Sequence, residues 1–187
     1  MNHYLDIHVR PDPEFKETTL LGALVSKLHR RLVALSADDI GISLPDHEGH
    51  PPLGSRLRIH GQPDRLEALM AEDWLGGIRG HLDIKEVRAV PGDVRHRIVR
   101  RRQYKTSVER LRRRRMRRHD ETYEQAYQHI PDSVERRVDT PFLCVQSSSS
   151  GRRFCLFIEH GPLQDQPQIG CFNAYGLSKE ATIPWWS

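Results

Sequence analysis

The chain opens on an alternation. Leu5, Ile7 and Val9 fall on one side of an extended segment, and Tyr4, Asp6, His8 and Arg10 on the other. That period predicts a half-buried strand over His3 to Arg10, ended by Pro11 and Pro13. The period then changes. Leu21, Leu24, Val25, Leu28 and Leu32 recur at helical spacing, which predicts an amphipathic helix over Thr19 to Leu35. Ile40 to Leu44 reads as a short strand closed by Pro45, and His47 to Gly54 as a Gly/Pro loop. Arg56 to His60 is a further strand. Pro63 to Ala71 is a helix with proline in its first turn, and Leu82 to Val90 a strand ending at Pro91-Gly92. The order β-α-β-β-α-β is the ferredoxin-like pattern.

After Pro91-Gly92-Asp93 the pattern is different. Arg95 to Gln103 is extended and basic. Thr106 and Glu109 have the spacing of a capping box and predict a helix through the arginine run that follows. Asp120 is placed to cap another helix, with Tyr123, Ala126, Tyr127 and Ile130 as its apolar stripe. Phe142 to Gln146 and Arg153 to Glu159 form a hairpin across a serine-rich turn, and Gly170 to Tyr175 is a candidate third strand. The fold class expected is α+β. Residues 1–93 form a ferredoxin-like domain, and residues 94–187 a smaller domain with the arginine-rich helix and a β-hairpin.

Charge changes the picture most. Residues 110–118 read Arg-Leu-Arg-Arg-Arg-Arg-Met-Arg-Arg. On a helix, Arg110, Arg113, Arg114 and Arg117 make one stripe with Arg118 at its edge, while Val108, Leu111 and Met116 lie opposite. Like charges at these spacings repel, so the face calls for a polyanion, and nucleic-acid phosphate is the best candidate. Between Arg95 and Arg118 there are twelve Arg, one Lys and one acid, a net of +12. The whole chain carries +4, so the other 163 residues sum to −8. The basic character is one concentrated patch, and Arg over Lys favours planar, bidentate recognition.

Other features exclude more than they assign. No apolar run approaches about 20 residues, so no membrane span is expected, and the first residues lack the pattern of a secretory signal. Cys144, Cys155 and Cys171, odd in number and without CxxC spacing, read as small buried residues of a reducing cytoplasm. His47 and His50 lack the helical spacing of a metal pair, and no acid pair recommends itself as a two-metal site. No metal or cofactor is expected. His29 stands at the shoulder of the first helix's apolar stripe, where partial shelter suits proton transfer, although a core-edge histidine would look the same.

Gln103-x-Lys105, then Glu109-Arg-Leu-Arg-Arg-Arg-x-Met-Arg-Arg-His119-Asp120, resembles the arginine helix of the type I-F CRISPR-associated precursor-crRNA endoribonuclease family. Ile130-Pro-Asp132, Ser147-x-Ser149 before Gly151, and Phe154-x-Leu-Phe-Ile-x-His-Gly-Pro-Leu163 agree. So do Tyr175-Gly-Leu-Ser-Lys179, Pro184-Trp185, and at the N-terminus Tyr4-Leu-Asp-Ile, Arg10-Pro-Asp-Pro-Glu-Phe15 and Lys27-Leu-His29. The resemblance runs the length of the chain in one register.

It implies a metal-independent ribonuclease of the prokaryotic cytoplasm. Such an enzyme binds the CRISPR repeat stem-loop, cuts once at its 3′ base, and stays with the product crRNA and other subunits of the interference complex. Carried over by position, the catalytic set is His29 for proton transfer at the 2′-hydroxyl, Ser147 to orient that hydroxyl, and Tyr175 to orient the histidine. RNA supplies its own nucleophile, so no metal is needed, and the products are a 2′,3′-cyclic or 3′-phosphate and a 5′-hydroxyl. The implied RNA-binding residues are Arg101 and Gln103 for bases near the stem's foot, with Lys105, Arg113, Arg114, Arg117, Arg118, His119, Ser149 and Phe154. Four adjacent serines leave Ser148 and Ser149 as rivals to Ser147, and three adjacent arginines leave Arg100 and Arg102 as rivals to Arg101. Arg115 and Tyr104 stand where a member of that family carries an apolar and a small residue.

Overall fold

The computed structural model describes residues 1–47, 53–104, 108–134, 140–147 and 151–186. Lys105, Thr106, Ser148 and Ser149, and His50 of the His47/His50 pair, lie outside them. The chain forms two compact units. One joins Met1–Arg102 to Thr140–Ser187, and the other is Gln103–Asp139.

The larger unit begins with β1 (His3–Val9), α1 (Glu17–Ala34), β2 (Gly41–Ser43), β3 (Arg56–Gly61), α2 (Pro63–Met70), β4 (Leu82–Ile84) and β5 (Arg88–Ala89). Its sheet runs in the order β2-β3-β1-β4, every pair antiparallel. This is the ferredoxin-like arrangement, and the class is α+β as expected. Leu5, Ile7 and Val9 of β1 meet Leu21, Leu24, Leu28 and Leu32 of α1 in one core, which Leu66 and Leu69 of α2 complete. The strand predicted over Leu82 to Val90 is two pieces instead. β4 pairs Ile84 with Ile7, whereas β5 pairs Arg88 with Tyr4, so the register slips by one residue through a bulge.

The same unit contains β6 (Arg95–Arg97), β7 (Val99–Arg102), β8 (Phe142–Gln146), β9 (Arg153–His160) and β10 (Ile183–Trp185). Strands β7-β9-β8 make a second antiparallel sheet, and β10 pairs with β6. Residues 170–175, expected as a strand, are irregular. The side chain of Asn173 accepts the backbone N–H of Tyr175 and competes with ladder pairing there. Alternation along β8 and β9 turns Leu143, Val145, Leu156 and Ile158 inward. It turns Cys144 and Cys155 outward, and all three cysteines are exposed, contrary to the expectation of burial. Helix α1 crosses β8 closely: a Cβ on Gly22 would stand 2.4 Å from the Cys144 carbonyl oxygen, which only glycine permits.

The smaller unit is built on α3 (Val108–His119) and α4 (Tyr123–His129). Asp120 does not cap α4. It adopts φ +52 and ends α3, while Thr122 and Gln125 form a reciprocal capping box that starts α4. Among the described residues, no helix is long and apolar enough to cross a membrane.

Candidate active site and nucleic-acid interface

His29 sits on the last turns of α1, half-buried. Its Nδ1 lies 2.8 Å from the carbonyl oxygen of Ala174. A carbonyl only accepts, so Nδ1 carries a proton, and in the neutral form of the ring the lone pair lies on Nε2. Tyr175, the next residue, stacks on the ring face with centroids 4.0 Å apart and planes within 2°. The backbone and side chain of two adjacent residues thus fix both the tautomer and the plane of the imidazole. Burial pushes the Tyr175 phenol up, opposed by the Arg101 guanidinium, so the hydroxyl stays protonated at neutral pH.

The Asn173–Leu177 turn holds this pair. Asn173 accepts the N–H of Tyr175 through its side chain and that of Gly176 through its carbonyl. Gly176 has φ +69 and its carbonyl accepts the N–H of Ile42 in β2, and a Cβ there would come 2.8 Å from Ile42. Any other residue would strain the backbone and push the turn off the sheet. Tyr175 is the residue the resemblance implied beside the histidine; the Ala174 carbonyl and the supporting Asn173 and Gly176 were not foreseen, because a stretch read as a strand is a turn. The Asn173 and Gly176 spacing was the available signal.

Stacking continues past Tyr175. Phe154 on β9 meets its ring edge-on at 6.5 Å, and the guanidinium of Arg101 on β7 lies over Phe154 at 5.3 Å. Arg101, Phe154, Tyr175 and His29 form a chain of side chains in contact. Arg100 and Arg102 point to the other face of β7, where both pair with Glu159. Those two guanidinium groups hold the Glu159 carboxyl below its usual range against the opposing effect of its burial. Ser147 follows β8 directly, its N–H on the Arg152 carbonyl and its carbonyl on the Gly151 N–H. The N–H of the preceding Gln146 reaches the Ser26 hydroxyl of α1 at 3.4 Å, which draws this end of the hairpin to the helix carrying His29. Gln103 is exposed beyond the end of β7.

In the smaller unit the arginines divide into two sets. Arg110, Arg113, Arg114, Arg117 and Arg118 line one shallow surface depression. His119 is exposed at the helix end. Arg112 is buried: it donates to the Ile130 carbonyl and to Asp132 at 2.7 Å, and lies 4.3 Å over the Tyr127 ring. Arg115 makes a bidentate pair with Glu121 at 2.7 and 2.8 Å. Between α3 and α4 only Val108 and Ala126 are buried apolar residues among those described, and Arg112 fills the space beside them while Arg115 ties α3 to Glu121. Helical spacing from Val108 carried that signal, since Arg112 is one turn on. Among the described residues, no group of three His, Cys, Asp or Glu side chains is placed to hold a metal.

A ferredoxin-like sheet with an oriented histidine, together with a helix presenting five arginines, defines a protein built to act on a polyanionic strand. Comparison with known proteins gives that class a family. Residues 4–186 match the family model of the CRISPR-associated protein Cas_Csy4. The chain is 51% identical over 186 residues to the CRISPR-associated endonuclease Cas6/Csy4 of Pseudomonas aeruginosa strain UCBPP-PA14, covering 99% of this chain and 100% of the relative. It is 45% identical over 185 residues to the protein of the same name from Escherichia coli strain UTI89, covering 99% and 100%. A solved structure described as an RAMP protein binding different RNA substrates aligns at a TM-score of 0.34 with 11% identity, over 98% of this chain and 99% of that one. A likeness that weak adds no weight. The chain belongs to the Cas_Csy4 family of CRISPR-associated proteins.

Proposed function

We propose that this chain is a metal-independent endoribonuclease that binds the CRISPR repeat stem-loop in a precursor transcript. It cuts at the 3′ base of the hairpin and retains the mature crRNA. The relatives' name, CRISPR-associated endonuclease, supports the activity class. The observation that carries the chemistry is the hydrogen bond from His29 Nδ1 to the Ala174 carbonyl, which leaves Nε2 basic.

Nε2 takes the proton of the 2′-hydroxyl as that oxygen attacks the adjacent phosphorus. The 5′-oxygen leaves and takes up a proton from the imidazolium or from water, and the products are a 2′,3′-cyclic phosphate, opened to a 3′-phosphate on hydrolysis, and a 5′-hydroxyl. Ser147 orients the 2′-hydroxyl. Tyr175 is a positioning residue: its ring face holds the imidazole plane and favours the imidazolium formed when the proton arrives. Arg101 and Gln103 read bases at the foot of the stem, and Phe154 stacks on the last base pair. Lys105 is a further RNA contact, and Ser149 acts near the cut.

Arg113, Arg114, Arg117, Arg118 and His119 bind phosphate. The labour divides along the chain, residues 1–93 supplying the histidine and 94–187 the hairpin contacts. We place the reaction in the prokaryotic cytoplasm, with other subunits of a type I-F interference complex as later partners of the bound crRNA.

The test is cleavage of a labelled cognate repeat hairpin in EDTA, wild type against His29→Ala, with binding measured on the same samples. A single cut by the wild type, and tight binding without cutting by the variant, is the expected result. Tight binding with no cut by the wild type would instead make this a hairpin-binding subunit without turnover. A cut that EDTA abolishes would overturn the metal-independent route.

A further inference from the structure

We propose that Cys144 and Cys155 form a redox-active dithiol on the outer face of the β8–β9 hairpin, one that a small-molecule disulfide such as glutathione disulfide converts to an internal disulfide bond. The two residues are direct partners in the antiparallel register. The phase of the ladder follows from its ends. Ser147 N–H bonds to the Arg152 carbonyl and Ile158 N–H to the Pro141 carbonyl. Hydrogen-bonded pairs therefore fall at 141/158, 143/156, 145/154 and 147/152, and the 144/155 pair is non-hydrogen-bonded. In such a pair the Cα atoms stand about 4.5 Å apart with side chains converging, inside the span that a disulfide bridges.

Neighbouring side chains on this face behave as that phase requires. Phe142 and Phe157, the preceding non-hydrogen-bonded pair, bring their rings within 5.4 Å. Both thiols are exposed, so a tripeptide disulfide can reach them. Burial, with a contribution from the neighbouring Cys144, pushes the Cys155 thiol up, which makes Cys155 a slower attacker of an external disulfide than a thiol at its ordinary value would be.

The exchange balances without a metal. The Cys144 thiolate attacks one sulfur of glutathione disulfide, its S–S bond breaks, and one glutathione thiolate leaves. The Cys155 thiolate then attacks the sulfur of Cys144, and the second glutathione thiolate leaves. Two protein thiols give up two protons and two electrons, and one glutathione disulfide becomes two thiols. The new bond ties together the two strands that flank Ser147 and carry Phe154, in the register they already hold. Cys171, also exposed, is a single thiol for comparison.

The experiment equilibrates the whole protein at pH 8 in a series of glutathione/glutathione disulfide buffers. It then traps free thiols with iodoacetamide and reads intact mass and peptide cross-links. In folded protein we expect a Cys144–Cys155 cross-link, an unchanged result in Cys171→Ser, and single glutathione adducts in Cys144→Ser. The equilibrium constant for the bond should be at least tenfold higher in folded protein than in the same protein in urea. Persistent glutathione adducts on Cys144 or Cys155 without a cross-link would overturn the proposal, as would equal constants folded and unfolded.

Discussion

A single imidazole is held here from three sides, and each hold can be removed separately. The Ala174 carbonyl fixes the tautomer, the Tyr175 ring fixes the plane, and α1 fixes the position. The contact with Tyr175 is through the ring face, so Tyr175→Phe should cut RNA within about threefold of wild type. Tyr175→Ala should lose about tenfold, the equivalent of a stacking pair worth about 0.5–1.5 kcal/mol. Single-turnover rates decide this; a large loss in Tyr175→Phe would give the hydroxyl a chemical role of its own. Arg101 admits a similar separation. Its guanidinium lies over Phe154, two contacts from His29, while Arg100 and Arg102 face away and share Glu159. We expect Arg101→Ala to relax discrimination against a swapped base pair at the foot of the stem by roughly 1–3 kcal/mol. Arg100→Ala should leave discrimination intact. Equal discrimination by the wild type and Arg101→Ala would pass the reading role to another residue.

Helix α3 shows the same residue type doing two jobs according to its place on one turn. Arg117 stands on the open face and Arg112 is closed against α4 and Asp132. Replacing Arg117 by Ala should reduce the slope of log binding constant against log salt by about one and leave helicity unchanged. Replacing Arg112 by Ala removes charge-assisted hydrogen bonds worth about 1.5–3 kcal/mol, and should lower helicity and melting temperature of the protein. Circular dichroism and a salt titration on both variants separate the roles. An Arg112→Ala protein with full helicity and a shallower salt slope would make that arginine a phosphate contact after all.

At this scale the sequence was legible where one period dominates. The β1 and α1 patterns locate both elements and the core stripe, and the arginine stripe marks the open face. It was not legible where side chains compete with backbone pairing. Asn173 turned an expected strand into the turn that carries Tyr175, and Asp120 ended a helix in place of starting one. Nor does periodicity reveal that an arginine with an acid and two tyrosines beside it can serve as core.

Across the whole molecule the larger unit carries a cost that only pH exposes. His60 is fully buried with Nε2 sharing a hydrogen bond with Ser43, and His160 is packed beside Arg97, His47 and Trp185. Burial first, then the nearby Arg97 and His47, pushes His160 down to about 3, and burial with Arg58 pushes His60 well down too. Both rings are therefore neutral in the folded protein near neutral pH.

Above the ordinary histidine value of 6.5, folded and unfolded chains both keep them neutral, and their contribution to stability is flat in pH. Below it the unfolded chain binds protons that the folded one refuses, so stability falls as pH falls. The carboxyls of Asp12, Asp83, Glu121 and Glu159 are all held low and stay ionised in this range, so between pH 6.5 and 5 the loss belongs chiefly to the histidines. His160→Gln, neutral at every pH, should flatten the fall in melting temperature over that window while His60 keeps a remainder of it. Parallel curves for wild type and variant would mean that His160 is free to take a proton in the folded protein and that its packing against Trp185 opens.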